Sequence, residues 1–191
     1  MNKIIGILGM QGAIAEHQEI LLQIQHTKTR IVKTAKDLDC IDGLILPGGE
    51  STAIGKLLDY FSLKEILQQK IISGLPVFGT CAGLILLAKN IENQTNTHLA
   101  TMDIAVKRNG YGSQLDSFST NLLIPTIDKN MPIPLVFIRA PYITKTDKDV
   151  QILATLDNKI IAARQKNMLV SSFHPELTCD LRFHQYFLSM I

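Results

Sequence analysis

The sequence predicts an α/β protein built on a mixed, mostly parallel sheet with an antiparallel extension. Three observations lead there. Ile4 to Leu8 is a continuous apolar run closed by Gly9, the pattern of a strand buried on both faces. From residue 4 to residue 89 such runs alternate with stretches of helical spacing, which implies parallel strands joined by right-handed crossovers. Beyond residue 100, strand-like segments follow one another through short connections, which implies antiparallel pairing at one side of the same sheet.

Each element has its own local reason. Residues 13 to 25 place Ile14, Ile20, Leu21 and Ile24 near one helical face. Arg30 to Lys33 reads as a second strand, and Gly43 to Leu46 as a third, stopped by Pro47-Gly48-Gly49. Ser51 can cap the next helix, which carries Ile54, Leu57 and Leu58 on one side. A helix over 63–72 follows, then a short strand at Pro76 to Phe78 and a helix beginning over Leu84 to Lys89. The second half offers strands at 102–107, 117–124, 134–138, 149–155, 159–164 and 168–173. A final helix covers 180–190. No repeat or low-complexity linker interrupts the chain, so a single domain over residues 1–191 is expected.

Composition narrows the function classes. Hydrophobic residues at 46% and charged residues at 19% fit a globular chain with one sizeable core rather than a disordered one. The net charge of +2 is spread out, without a run of like charges, so neither nucleic acid nor an anionic membrane is indicated as a main partner. The apolar start is broken by Gln11, Glu16 and His17, which suits a buried first strand better than a signal peptide. No stretch approaches the roughly 20 apolar residues that span a bilayer, and the expected location is the cytoplasm. Cys40, Cys81 and Cys179 are too few and too scattered for a disulfide framework.

One of these cysteines stands in a reactive context. Leu75 to Phe78 runs as an apolar strand into Gly79-Thr80-Cys81-Ala82-Gly83 and then into an apolar helix. That is the nucleophile-elbow pattern with sulfur in place of the serine oxygen. Glycines flank the nucleophile because side chains there would strike neighbouring backbone. The following helix terminus favours thiolate, the reactive form. The Ala82 N–H can face a developing oxyanion. A cysteine taken alone is more often a buried structural residue; the strand–turn–helix context reverses that expectation.

A cysteine nucleophile needs a base and the base an orienter. Phe173-His174-Pro175-Glu176 offers both, with Glu176 on the side of His174 if the segment is extended. On its own it reads equally well as the end of a strand followed by a solvated charge. Pro47-Gly48-Gly49-Glu50, at a strand end before a helix, leaves backbone N–H groups accessible to a ligand carbonyl or carboxylate. No Lys-Ser/Thr follows, so it is not a phosphate loop. Gly6, Gly9 and Gly12 lack dinucleotide spacing. His174, Glu176, Cys179 and His184 are poorly spaced for a metal, and no metal site is expected. His17, His26 and His98 lie among polar residues and read as surface positions.

With Cys81, His174, Glu176 and the Pro-Gly-Gly loop in this order, the chain resembles the triad-type (class I) glutamine amidotransferases. The likeness narrows to the glutaminase subunits of pyridoxal 5′-phosphate synthases. It is carried by Leu8-Gly-Met-Gln-Gly-Ala13, Leu46-Pro-Gly-Gly-Glu-Ser-Thr52, Phe78-Gly-Thr-Cys-Ala-Gly-Leu84, Arg108-Asn109, Asp116-Ser-Phe118, Phe137-Ile-Arg-Ala-Pro141 and Ser172-Phe-His-Pro-Glu-Leu-Thr178. The resemblance implies a three-layer α/β/α, flavodoxin-like fold and hydrolysis of L-glutamine to glutamate and ammonia, with no cofactor. It further implies a synthase subunit, a (β/α)8 barrel in a large ring complex, that receives the ammonia. Gly48, Gly49 and Glu50 match the family's glutamine-binding loop, with Gly49 and Ala82 at the oxyanion. Arg108, Ile138 and Arg139 match further glutamine contacts. Gln11 matches a residue near the oxyanion site at the synthase interface, and docking of the synthase is implied as the activating event. Two positions depart from the family pattern: Gly110-Tyr111 stands where Ser-Phe is common, and Tyr142 where many members have His. A γ-glutamyl peptidase on the same fold and a catalytically silent binding subunit are the alternative readings of the same residues.

Overall fold

The structure, a computed structural model, describes residues 2–110 and 117–191. Tyr111 and Asp116, which figured in the sequence motifs, lie outside the described residues. Strands β1 (Lys3–Leu8), β2 (Thr27–Val32), β3 (Gly43–Leu46) and β4 (Val77–Thr80) form the first half of a sheet. They alternate with helices α1 (Ile14–Leu22), α2 (Ser51–Tyr60) and α3 (Lys64–Ile72) and a 3-10 turn at Ala35–Cys40. A short helix, α4 (Ala82–Leu87), leads directly into β5 (Ala88–Ile91). Then come β6 (Met102–Lys107), β7 (Ser117–Leu122), β8 (Ile133–Ile138), β9 (Tyr142–Thr146), β10 (Gln151–Leu156), β11 (Lys159–Gln165) and β12 (Met168–Ser171). A 3-10 turn at Pro175–Leu177 and helix α5 (Arg182–Leu188) close the chain.

The sheet runs β2-β1-β3-β4-β12-β11-β9-β6-β5, with β10 paired to β11. β1 to β4 pair in parallel, and β9, β10 and β11 extend the sheet by antiparallel ladders. The mixed, mostly parallel architecture is therefore the one the sequence predicts, with helices on both faces. Alternation along the strands assigns the faces. Leu44, Leu46, Val77, Met168 and Val170 face a core closed by α2, α3 and α4. Ile5, Ile7, Ile45, Phe78 and Leu169 face a second core with Leu21 of α1, Phe183 and Phe187 of α5, and Leu135 and Phe137 of β8.

Four expectations are corrected. Residues 168–171 are not part of the antiparallel edge; β12 inserts beside β4 in parallel, because its four residues are buried on both faces like those of β4. The segments near 117–124 and 134–138 leave the main sheet and pair with each other as a separate two-stranded ribbon. The ribbon's inward residues, alternating with exposed ones, cover the α5 face. β9, with the polar sequence Tyr-Ile-Thr-Lys-Thr, was not anticipated as a strand and is fixed by pairing with β6 and β11. Glu50, not Ser51, caps α2: its longer side chain reaches round to accept from the Thr52 and Ala53 N–H groups at 3.0 and 2.7 Å. Among the described residues no helix is long and apolar enough to cross a membrane.

Candidate active site

Parallel pairing of β4 with β12 sets Thr80 opposite Ser171 at the carboxyl ends of both strands. There the chain turns sharply. Cys81 adopts φ 47° and ψ −96°, outside the comfortable regions for an L-residue. The turn holds because its flanks lack side chains. A Cβ at Gly79 would lie 2.6 Å from the Gly83 carbonyl, and a Cβ at Gly83 would lie 2.1 Å from the Leu46 carbonyl oxygen. The Cys81 N–H donates to Ser171 O at 2.8 Å, which ties the elbow to β12. Ala82 is the first residue of α4, so its N–H has no partner inside the helix.

Three residues past β12, the His174 N–H donates to Val136 O of β8 at 2.8 Å. That bond swings the segment over Cys81. Pro175 then opens the 3-10 turn, its ring fixing φ for a first helical position. The segment is not extended; the turn itself folds Glu176 back under the imidazole. His174 Nδ1 and Glu176 Oε1 are 2.7 Å apart, and the imidazole and the Cys81 thiol line the same cavity. Both His174 and Glu176 are buried.

Electrostatics follow from this packing. Burial disfavours the His174 cation, but the bonds and charges of Cys81 and Glu176 outweigh it and push its pKa up to about 10. Burial likewise opposes ionisation of Glu176, yet the His174 cation and the carboxylate's hydrogen bonds hold it below its ordinary range. The His174 imidazole therefore carries its proton at neutral pH.

Cys81 and His174 open onto a cavity of about 500 Å³. Gln11, Gly48, Gly49, Glu50, Arg108, Ile138 and Arg139 also line it, so every residue assigned to the ligand from the sequence reaches one space. Glu176 and Ala82 are not among its lining residues. The Pro-Gly-Gly loop is held from two sides. Gly48 O accepts from the Ala13 N–H at 3.0 Å, and the Glu50 N–H donates to Gln11 Oε1 at 2.8 Å. Because a trans peptide points C=O and N–H in opposite directions, the Ala13 bond directs the Gly49 N–H away from the β1–α1 loop. Arg108 is fixed across the cavity mouth by Glu50 Oε1 at 3.0 Å and Thr52 Oγ1 at 3.1 Å. Glu50 thus contributes as an anchor for Arg108 and a helix cap, roles the motif did not show. Arg139 is exposed with φ 43°.

Two sequence departures meet in space. A Cβ at Gly110 would lie 2.0 Å from the Tyr142 ring, so the larger side chain at 142 requires glycine at 110. The surface assignment of His17 and His98 is overturned. His17 is fully buried and sits 3.5 Å from Glu176 Oε2; His98 is half-buried against α2, its ring lying where a Gly55 side chain would be. His26 is exposed, as expected. Charged neighbours in the chain hid His17, whose partners come from residues 80, 176 and 184.

Comparison with known proteins agrees with the fold. Residues 7–191 match the SNO glutamine amidotransferase family. A protein of Carboxydothermus hydrogenoformans named pyridoxal 5′-phosphate synthase subunit PdxT is 54% identical over 187 residues, 98% of this chain and 97% of that one. A protein of the same name from Ruminiclostridium cellulolyticum is 53% identical over 189 residues, 99% of this chain and all of the other. A crystal structure described as a glutamine amidotransferase superposes with a TM-score of 0.90 at 38% identity, over 97% of each chain. PurLQS from Thermotoga maritima, 15% identical with a TM-score of 0.73, shares the fold. The fold is that of the class I glutamine amidotransferases. Within that class, the chain belongs to the SNO glutamine amidotransferase family.

Two measurements follow from the geometry. Gly48→Ala places a Cβ 2.4 Å from His174 Cε1 and must displace the ring. A shift of about 1 Å can cost on the order of 100-fold, so glutamine hydrolysis should fall by roughly that factor while the thermal unfolding profile stays close to the wild type. The raised His174 pKa also predicts a stability dependence on pH. Its charge contributes fully below its unfolded value of 6.5 and is lost as pH rises through about 10. The stability advantage of the wild type over His174→Gln, measured by urea unfolding, should therefore shrink across that window.

Proposed function

We propose that the chain hydrolyses L-glutamine at Cys81 and hands the ammonia to a pyridoxal 5′-phosphate synthase subunit. The observation that carries this reading is the strained Cys81 beside an imidazolium whose far nitrogen is 2.7 Å from a buried carboxylate, at the wall of a polar cavity. The Cys81 sulfur attacks the side-chain amide carbon of glutamine. The oxyanion forms between the N–H groups of Ala82 and Gly49. His174 gives its proton to the departing nitrogen, ammonia leaves, and a γ-glutamyl thioester remains. Water then attacks the thioester carbonyl, His174 takes the water's proton, and the C–S bond breaks to release glutamate. Glu176 keeps Nδ1 of His174 in the donor tautomer and stabilises the imidazolium. Arg108, held by Glu50, and Arg139 provide positive charge for the substrate carboxylate, with Ile138 packing against its aliphatic stem. No cofactor enters these steps.

The partner follows from the relatives, both of which carry the name of a synthase subunit. The proposed partner is the (β/α)8 barrel of a large ring complex in the cytoplasm. Gln11 is exposed at the cavity mouth and bonded to the loop that carries the oxyanion donor. A docking subunit that presses on Gln11 thereby reaches Glu50, the residue after Gly49, through one hydrogen bond, which supports activation by docking. The whole chain acts as one glutaminase domain.

The test is ammonia and glutamate release from glutamine, with and without the cognate synthase subunit. Cys81→Ala should fold and release neither, even with the synthase present. The wild type should turn over faster when the synthase is added. Residual activity in the alanine variant would refute the assignment of the nucleophile.

A further inference from the structure

On the side of Glu176 away from the cavity, four polar side chains are packed together without solvent: His17 of α1, Thr80 of β4, Glu176, and His184 of α5. His17 Nδ1 is 3.0 Å from His184 Nε2. His17 Nε2 is 3.1 Å from Thr80 Oγ1 and 3.5 Å from Glu176 Oε2. Two atoms of the cluster, Glu176 Oε2 and His184 Nδ1, have no hydrogen-bond partner among the described residues. Burial pushes the pKa values of both histidines down, more than Glu176 lifts that of His17, so the two rings are neutral.

Neutral rings admit only two proton arrangements along this chain. If His17 carried its proton on Nδ1, its Nε2 lone pair would face the Glu176 carboxylate. His184 would then accept at Nε2, which strands its own N–H at Nδ1 in a dry core. That arrangement combines an anion–lone-pair repulsion with an unmade donor, each a known penalty of buried polar groups. In the other arrangement His184 Nε2–H donates to His17 Nδ1. His17 Nε2–H then points between Thr80 Oγ1 and Glu176 Oε2. The atom left over at His184 is a lone pair, which costs less to bury than a donor.

We infer that His17 is a positioning residue for the reaction, directing an N–H dipole from Nε2 onto the outer oxygen of Glu176, with its tautomer set by His184. The inference rests on Cys81, His174 and Glu176 being the catalytic triad. Glu176 Oε1 is engaged by His174 at 2.7 Å, while Oε2, without a hydrogen-bond partner among the described residues, lies 3.5 Å from His17 Nε2, which can resist rotation of the carboxylate. Loss of the dipole lets the carboxylate swing and loosens its grip on the His174 tautomer. The series runs His184–His17–Glu176–His174–Cys81, from α5 to the elbow.

Three substitutions at position 17 read this directly. Gln can set an amide donor near the Nε2 position; Asn reaches only the Nδ1 position; Leu removes all polarity. Each variant is assayed as the full chain with its synthase subunit, for glutamate release. Rates are divided by the number of thiols titrated with 6-diazo-5-oxonorleucine, so that unfolded molecules are not counted. Outer groups that orient a reacting ligand commonly contribute about 10- to 100-fold. His17→Leu and His17→Asn should lose kcat by that order with KM for glutamine changed less than about 2-fold, and His17→Gln should recover most of it. Equal kcat per thiol for Gln and Asn, or an unchanged kcat for Leu, would overturn the inference. If Cys81→Ala stays active, the triad reading itself has failed and this one with it. If Cys81→Ala is dead while the position-17 series is flat, only the role of His17 is wrong.

Discussion

The parallel pairing of β4 with β12 is the constraint on which the site depends. Its last residue pair, Thr80 opposite Ser171, brings the Cys81 elbow and the His174 segment side by side although they are far apart in the chain. The two strands are buried on both faces, and their side chains divide between the two cores. A slip of one residue would send Phe78 and Leu169 to the wrong core along with every neighbour. The register is therefore held by packing across the whole sheet, and the position of the sulfur relative to the imidazole inherits that rigidity.

Upon this frame the protein stores local strain. Cys81 occupies a backbone conformation that an L-residue reaches only under compulsion. The compulsion comes from close packing of Gly79 on Gly83 and of Gly83 on Leu46, and from the N–H bond to Ser171 O. Arg139, another residue with positive φ, directly follows β8, the strand that also receives the His174 N–H through Val136. The electrostatic arrangement has the same economy. One buried carboxylate supports one imidazolium, and at the mouth Glu50 holds Arg108 in place.

Much of this was legible in the sequence, because elbow chemistry is local. Gly79, Cys81, Ala82 and Gly83 are contiguous, and the strand before them and helix after them announce themselves by hydropathy alone. His174 and Glu176 were legible for the same reason, though the turn that joins them was not, since Pro175 permits either an extended or a 3-10 course. What escaped is non-local. His17 lies between Glu16 and Gln18 and carries no sign that Thr80, Glu176 and His184 close over it. β9 has a polar sequence and exists because β6 and β11 offer edges to pair with. The β7–β8 ribbon has the alternation of any half-buried hairpin, and nothing in that pattern says which sheet it joins. The resemblance to a family supplied Arg108, Ile138, Arg139 and Gln11, which no spacing rule could have assembled into one cavity.

The central claim is that a covalent bond forms between the Cys81 sulfur and the γ-carbonyl carbon of glutamine. The most direct measurement is acid quench during steady turnover with the synthase present, followed by intact-mass and peptide mass spectrometry. The account predicts a γ-glutamyl adduct confined to the peptide that contains Cys81, lost when the quenched sample is treated with hydroxylamine. Glutamine consumption without any adduct on that peptide, or an adduct on Cys40 or Cys179 instead, would contradict it.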